Sequence, residues 1–190
     1  FTMFSFRTIV ICTVLLSPSL YAETKSATLE TQAAERATEF ATTLKSALGA
    51  AIKQGGLVEG INVCKMQAPA ISDSLSTDGW TVARKSTKNR NPNNQPDEWE
   101  AEKIAQLLDM IRNTESIDNV TFSTNKDGQF RFAKAIKVAP VCLNCHGQTI
   151  APEVKQALSE HYPNDLATGY RLGDLRGIFS ITKTLETTEK

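Results

Sequence analysis

The sequence predicts an α+β domain: an antiparallel β-sheet with flanking helices and a long helix at its N-terminal end. Three observations predict it. Apolar residues recur at three- and four-residue steps between positions 32 and 74, the period of an amphipathic helix. Those of 129–138 alternate at the two-residue step of a strand, directly behind the turn sequence Asn125-Lys126-Asp127-Gly128. Strand-like runs come in hairpins rather than in regular alternation with helices, so the pairing should be antiparallel, with helices on one side of the sheet.

Taken in order, residues 1–22 read as a secretory signal peptide and not as part of the fold. Arg7 is their one charge, an apolar run at 8–16 follows, and Ser17-Pro18-Ser19 leads to a cleavage point after Ala22. The run is short for a bilayer span. Leu20 at position −3 makes the cleavage site imperfect, so a retained anchor is the alternative. The remainder, 23–190, holds 190 − 22 = 168 residues, enough for a single domain with a real core. The whole chain has 21 Lys+Arg and 21 Asp+Glu, and removing Arg7 leaves 20 against 21. A near-neutral chain gives no reason to expect nucleic acid or an anionic membrane surface as partner.

Residues 23–31 are polar and should fray. In 32–53, Ala33, Ala37, Phe40, Ala41, Leu44, Ala47, Leu48, Ala51 and Ile52 keep helical spacing, and Gly55-Gly56 should stop the helix. A second helix is expected over 57–74, with Ile61, Cys64, Ala68 and Ile71 on one face and a kink at Pro69. Asp78-Gly79 turns the chain into a strand at 80–84, and 85–96 is a polar, basic loop. Asp97 can cap a helix ending at Arg112, with Ile104, Leu107, Leu108 and Ile111 buried. Strands at 120–124 and 129–138 form a hairpin in which Phe130, Phe132, Lys134, Ile136 and Val138 share a face, and Pro140 ends it. A short helix at 151–162 has Pro152 in its first turn. A closing hairpin is expected from 169–172 and 175–182 around Gly173-Asp174.

The chemistry-bearing stretch is Cys142-Leu143-Asn144-Cys145-His146, the C-x-x-C-H spacing of covalent haem attachment. Two thiols three positions apart can each add to a vinyl group of one haem, and the next residue, His146, then lies under the iron as proximal ligand. Two other chemistries use C-x-x-C. A redox pair usually opens the helix of a βαβ unit, which the surrounding pattern lacks. A zinc site would need a second ligand pair at short spacing, and there is no second C-x-x-C and no H-x-x-x-H. The cofactor expected is therefore one covalently bound haem c.

Four cysteines are present, Cys12, Cys64, Cys142 and Cys145. Cys12 lies in the leader, so Cys64 is left unpaired in an exported protein. The candidates for the sixth iron ligand are Met66, Met110, His161 and Cys64. Methionine or histidine is the usual choice; Cys64 is the unpaired thiol on an apolar helix face, and Met66 points roughly opposite it. The basic loop, with Arg84, Lys85, Lys88 and Arg90, is either a solvated connection or a donor set for the haem propionates.

Five separated stretches carry a resemblance: Ile61-Asn62-Val63-Cys64 with Ala68-Pro69-Ala70-Ile71; Gly79-Trp80-Thr81-Val82-Ala83-Arg84; Arg90-Asn91-Pro92 through Trp99; Val141-Cys142 through Gly147; and Gly169-Tyr170 through Ser180. In this order they resemble a family of PAS-like monohaem c-type cytochrome domains, formerly a domain of unknown function. Its members occur as soluble periplasmic or lumenal cytochromes and as sensor domains of bacterial signalling proteins. The resemblance implies a PAS-like antiparallel sheet, His146 as proximal ligand and Cys64 as distal thiolate. Ala83 departs from the pattern, which expects glycine there.

A thiolate at Cys64 favours ferric iron and so a low potential. On reduction the thiolate is held less strongly and can be protonated and released, opening a position for CO or NO. The expected function is that of a periplasmic electron-transfer cytochrome acting on a redox partner protein. The alternative is a haem-based redox or gas sensor that signals through a separate partner, since the chain ends at Lys190 shortly after its last strand. An enzyme is not expected: no general base stands out near the motif, and His161 is the only other histidine.

Overall fold

The computed structural model describes residues 18–185, with side chains from Thr28 onward. Most of the expected leader, residues 1–17, lies outside the described residues. A long helix, α1 (Pro18–Asn62), opens the fold. A one-turn π-helix, Val63–Gln67, joins it to α2 (Ala68–Leu75). Then come β1 (Trp80–Lys85), α3 (Glu98–Arg112), β2 (Thr121–Lys126) and β3 (Gln129–Lys137). The single turn α4 (Leu143–His146), the helix α5 (Pro152–His161) and β4 (Leu175–Thr184) complete it. The strands form one antiparallel sheet in the order β1-β4-β3-β2. The class is α+β, with the long N-terminal helix and flanking helices that the periodicity predicts. Among the described residues no helix is long and apolar enough to cross a membrane.

The glycine pair divides α1 into two helical stretches that meet at a kink, the break expected at Gly55-Gly56. Gly56 takes φ 76° and ψ −169° inside α1, a backbone state that costs glycine little and any residue with a Cβ more. Residues 23–31 are helical instead of frayed. Leu29 packs on the core beneath α1, and the Glu30 carboxylate accepts a hydrogen bond from the Ser123 hydroxyl on β2, contacts that anchor this end from a distant part of the chain.

Helices cover both faces of the sheet, where the sequence suggested one. On the first face Ala33, Ala37, Phe40 and Leu44 of α1 meet Trp80, Val82, Phe130, Phe132, Phe179 and Ile181. On the second, Ile104 and Leu107 of α3 meet Ala133, Leu175 and Ile178. The cause is β4. Ile178, Phe179 and Ile181 put apolar side chains on both parities of this strand, and a strand flanked by β1 and β3 and buried on both faces needs two covers. Burying each large side chain here contributes on the order of 1.5–3 kcal/mol.

Local chemistry fixes the ends. Asp97 accepts from the Glu100 N–H at 2.9 Å while Glu100 accepts from the Asp97 N–H at 2.8 Å, so the cap expected at Asp97 forms, as one half of a reciprocal capping box. The buried Glu100 also accepts from the Ser180 hydroxyl at 2.6 Å, which ties α3 to β4. The β2–β3 turn places Asp127 at φ 52° and Gly128 at φ 72°, the two left-handed residues of a tight hairpin. On α2, the Ser72 hydroxyl donates to Val82 O and Ser76 Oγ accepts from the Val82 N–H at 2.9 Å, holding α2 against β1.

The expected strand at 169–172 does not form. Gly169 (φ 77°) and Gly173 (φ 86°) break the extended run. Its backbone donors go to the cysteine motif instead: the Tyr170 N–H to His146 O at 3.0 Å and the Gly169 N–H to Gly147 O at 2.9 Å. β4 therefore finds both its partners in β1 and β3, and the 165–170 loop becomes a wall of the site.

Candidate functional site

The cysteine motif occupies a 3₁₀ turn, Pro140–Cys142, followed by the one turn of α4. The helical path sets Cys142 and Cys145 one turn apart on the same side. Both thiols are free and half-buried. Cys142 packs beside Val138, Ala167 and Tyr170, and Cys145 beside Ile61, Val154, Ala157 and Leu158. Burial, chiefly, and then the neighbouring Cys64 and Cys142 push the Cys145 thiol pKa up, against an opposing pull from Arg90. The turn is closed by the Gly147 N–H donating to Leu143 O at 2.9 Å. A Cβ on Gly147 would lie 2.5 Å from that same oxygen, so the tight turn after His146 requires glycine.

His146 is held in one tautomer. Its Nδ1 lies 2.6 Å from Ala167 O. A carbonyl only accepts, so Nδ1 carries the proton and Nε2 is left as a bare lone pair. Burial, first, and then Arg176, Arg90 and Arg84 lower its pKa to about 2, with the Ala167 hydrogen bond opposing. The ring is therefore neutral at ordinary pH. A neutral imidazole oriented through Nδ1 by a backbone carbonyl is the form in which histidine ligates metals.

Arg90 clamps this turn. Its guanidinium is 7 % exposed and pairs with Asp165, itself 11 % exposed, at 2.9 Å. It also donates to Cys145 O at 2.6 Å and to Ala167 O at 3.5 Å. Asp165 in turn accepts from the Ala167 N–H at 2.8 Å. One buried ion pair thus fixes both the motif and the carbonyl that orients His146.

The other members of the basic loop divide. Lys85 Nζ donates to Asn93 O and Gln95 O, each at 3.2 Å. Lys88 Nζ donates to Thr168 O at 2.6 Å and lies 4.4 Å from the Tyr170 ring centre. With the donors of Lys85, Lys88 and Arg90 committed to protein acceptors, Arg84 alone of the four keeps its guanidinium unpaired among the described residues. It sits 5.2 Å over the Phe40 ring. Burial chiefly lowers its pKa, Cys64 and Tyr162 raise it, and Arg176 lowers it.

Cys64 lies in the π-helix between α1 and α2. There the Ala68 N–H reaches back five residues to Val63 O. Pro69, which has no N–H to continue an ordinary α ladder, follows at the start of α2. The kink expected at Pro69 is thus taken up one turn earlier, as a widened turn at Cys64. Such π segments concentrate at functional positions. Cys64 is near enough to Cys145, Arg84 and Tyr162 to shift the pKa of each, which brings it to the side of the cysteine motif. Of the other sixth-ligand candidates, Met66 shares the turn but is 68 % exposed, Met110 packs in the α3 cluster, and His161 Nδ1 is bonded to Lys65 Nζ at 3.3 Å. Among the described residues no group of three or more His, Cys, Asp or Glu could hold a metal ion.

Sequence reasoning missed Ala167, whose contribution is a carbonyl, and Asp165, whose partner is 75 residues away. It also missed Arg176, read as an ordinary strand residue, and Tyr170, whose ring stands edge-on to His146 at 6.3 Å.

Comparison with known proteins converges on one family. No curated protein matches the chain. Among solved structures, the crystal structure of the cyanobacterial heme-protein Tll0287 matches with a TM-score of 0.58 at 23% identity, over 92% of this chain and 100% of that one. At that identity the likeness is one of fold. The family model described as Tll0287-like matches residues 21–183, a span that includes Cys64, Cys142, Cys145 and His146. The chain belongs to the Tll0287-like family.

Proposed function

We propose that this chain is an exported monohaem c-type cytochrome that carries single electrons at low potential. In this reading Cys142 and Cys145 hold one haem covalently, His146 is the proximal ligand and Cys64 the distal thiolate. The observation that carries it is His146: a neutral imidazole, its Nδ1 fixed on Ala167 O, directly after two free thiols on one helical turn. The cyanobacterial protein Tll0287, which shares this fold, is a heme-protein, which supports the same cofactor. Bound at this turn, the haem supplies a one-electron Fe(III)/Fe(II) couple. The protein's part would be to present the Cys64 sulfur and the neutral His146 imidazole to that group. The anionic donor favours the oxidised iron, so the potential is low. Residues 1–22 act as the export leader and the working compartment is the periplasm, where attachment to thiols takes place. The partner is a redox protein, and the chain itself performs no catalysis.

A second reading, a redox or gas sensor, draws on the π turn at Cys64. A widened turn can re-register to an α turn, and α1 leads directly into it. Reduction that frees the Cys64 thiol would then move the junction between α1 and α2. Spectra of the reduced protein with and without CO, alongside stopped-flow reduction, separate the two. The carrier is expected to show fast, reversible reduction and a reduced spectrum unchanged by CO. A CO adduct that forms with loss of the thiolate signature would favour the sensor.

A further inference from the structure

We infer that Arg84 and Arg176 together form a carboxylate-binding pair that takes the two haem propionates, an inference that rests on the haem reading above. Arg176 reaches the site through a defect in β4. Ile136 pairs with Gly177, but Lys137 pairs with Leu175, so Arg176 is an extra residue in the ladder. Leu175 and Ile178, three apart, both pack toward α3. The side-chain alternation therefore slips once between them, and Arg176 does not follow Ile178 and Ser180 toward α3. A bulge of this kind re-aims a side chain. Beside it, Gly177 takes φ 152°, and a Cβ there would lie 2.3 Å from Lys85 O. Only glycine lets β4 bend so close to the end of β1.

Re-aimed, the Arg176 guanidinium stands 5.5 Å from the Tyr170 ring centre, donates to Lys88 O at 3.3 Å, and acts on both His146 and Arg84. Arg84 arrives from β1 on the face that Trp80 and Val82 turn toward α1. Neither guanidinium has a carboxylate within ion-pair distance among the described residues. Burial is the first cause that lowers both pKa values, and Arg176 further lowers that of Arg84.

The local charge does not balance. Three guanidiniums, Arg84, Arg90 and Arg176, act on His146. One carboxylate, Asp165, is ion-paired among them, with Arg90, which leaves an excess of 3 − 1 = 2 positive charges. Lys88 beside Tyr170 and Asp174, which accepts from the Arg171 N–H, add one charge of each sign and leave the excess unchanged. Burial, first, raises the pKa of Tyr162, so it adds no charge. Burying unpaired charges side by side is costly. Two propionates supply two negative charges, and the planar guanidinium fork suits carboxylates better than an ammonium does. Arg90, with its donors on Asp165, Cys145 O and Ala167 O, is a structural clamp outside this pair.

The test uses the holoprotein as Arg84→Gln, Arg176→Gln and the corresponding Lys variants, with midpoint potentials followed between about pH 5 and pH 8, above the ordinary carboxylate pKa. The parent should be flat, because paired propionates stay ionised throughout. Each Gln variant should acquire a segment in which the potential falls as pH rises, because the freed propionate has a raised pKa and titrates with the electron. The Lys variants should stay flat. Curves parallel to the parent in both Gln variants overturn the pair. Absorbance of each denatured variant reports whether haem is attached: a parent without haem overturns the underlying haem reading, whereas parallel curves on haem-loaded protein overturn only the pair. If the Gln variants do not accumulate with haem, infrared difference spectra of the parent with carbon-13-labelled propionates decide. Ionised carboxylate bands unchanged over the same pH range, and shifted in Arg84→Lys, support the pair. A protonated carboxyl band in that range overturns it.

Discussion

Cys64→Ser should turn the ferric haem spectrum from low-spin thiolate type to high-spin, or to that of a replacement ligand, and should raise the midpoint potential. Serine keeps nearly the volume of cysteine and removes the soft anionic donor, so the effect is electronic before it is steric. Axial-ligand identity spreads haem potentials over about 0.8 V, so this rise should be among the largest that any single substitution here can produce. Rescue by a neighbour is not expected. Met66 is 68 % exposed on the far side of the same turn, and His161 is engaged with Lys65. Stability should fall by on the order of 1 kcal/mol, as for a half-buried position of conserved volume, because the thioether bonds to Cys142 and Cys145 remain. An unchanged ferric spectrum and potential would make Cys64 a packing residue.

Arg90→Ala should give the largest loss of stability, about 3–5 kcal/mol, the range for removing one partner of a buried ion pair. The cost arises because Asp165, 11 % exposed, is left charged without its partner, while Cys145 O and Ala167 O lose a donor. The functional consequence follows from the same contacts. With Ala167 no longer held, the carbonyl that fixes the His146 tautomer loosens, so the yield of haem-loaded protein should drop and the ferric spectrum become heterogeneous. Arg90→Lys should fall between, since an ammonium restores the charge but not the fork. Denaturant unfolding of parent and variants checks this. A cost below about 1 kcal/mol would place the pair with weak surface ion pairs and contradict the clamp.

What could be read in the sequence was whatever depends on neighbours in the chain. Attachment to two thiols and ligation by histidine require contiguous residues, so the 142–146 stretch is legible at once. The Asp97–Glu100 cap and the Asp127-Gly128 turn are equally local, and both form as their residues suggest. What escaped depends on distant partners. Arg90 looked like one more cation in a basic loop, because Asp165 and Ala167 stand 75 and 77 residues away. The 169–172 stretch alternates like a strand, yet its N–H groups serve His146 and Gly147. Arg176 could not be distinguished from a solvent-facing strand residue without the register that reveals the bulge. The second helical cover, α3, follows from the apolar content of both parities of β4, a signal present in Ile178-Phe179-Ser180-Ile181 but ambiguous until the strand is known to be central.

Covalent attachment is the point on which the other expectations depend, and it is measured directly by extracting the purified protein with acidified organic solvent and recording the absorbance of the denatured chain. Haem should stay with the protein, at one per chain, and its pyridine haemochrome should show thioether-type bands. Haem that passes into the solvent, or a denatured chain with no haem absorbance, would contradict attachment through Cys142 and Cys145.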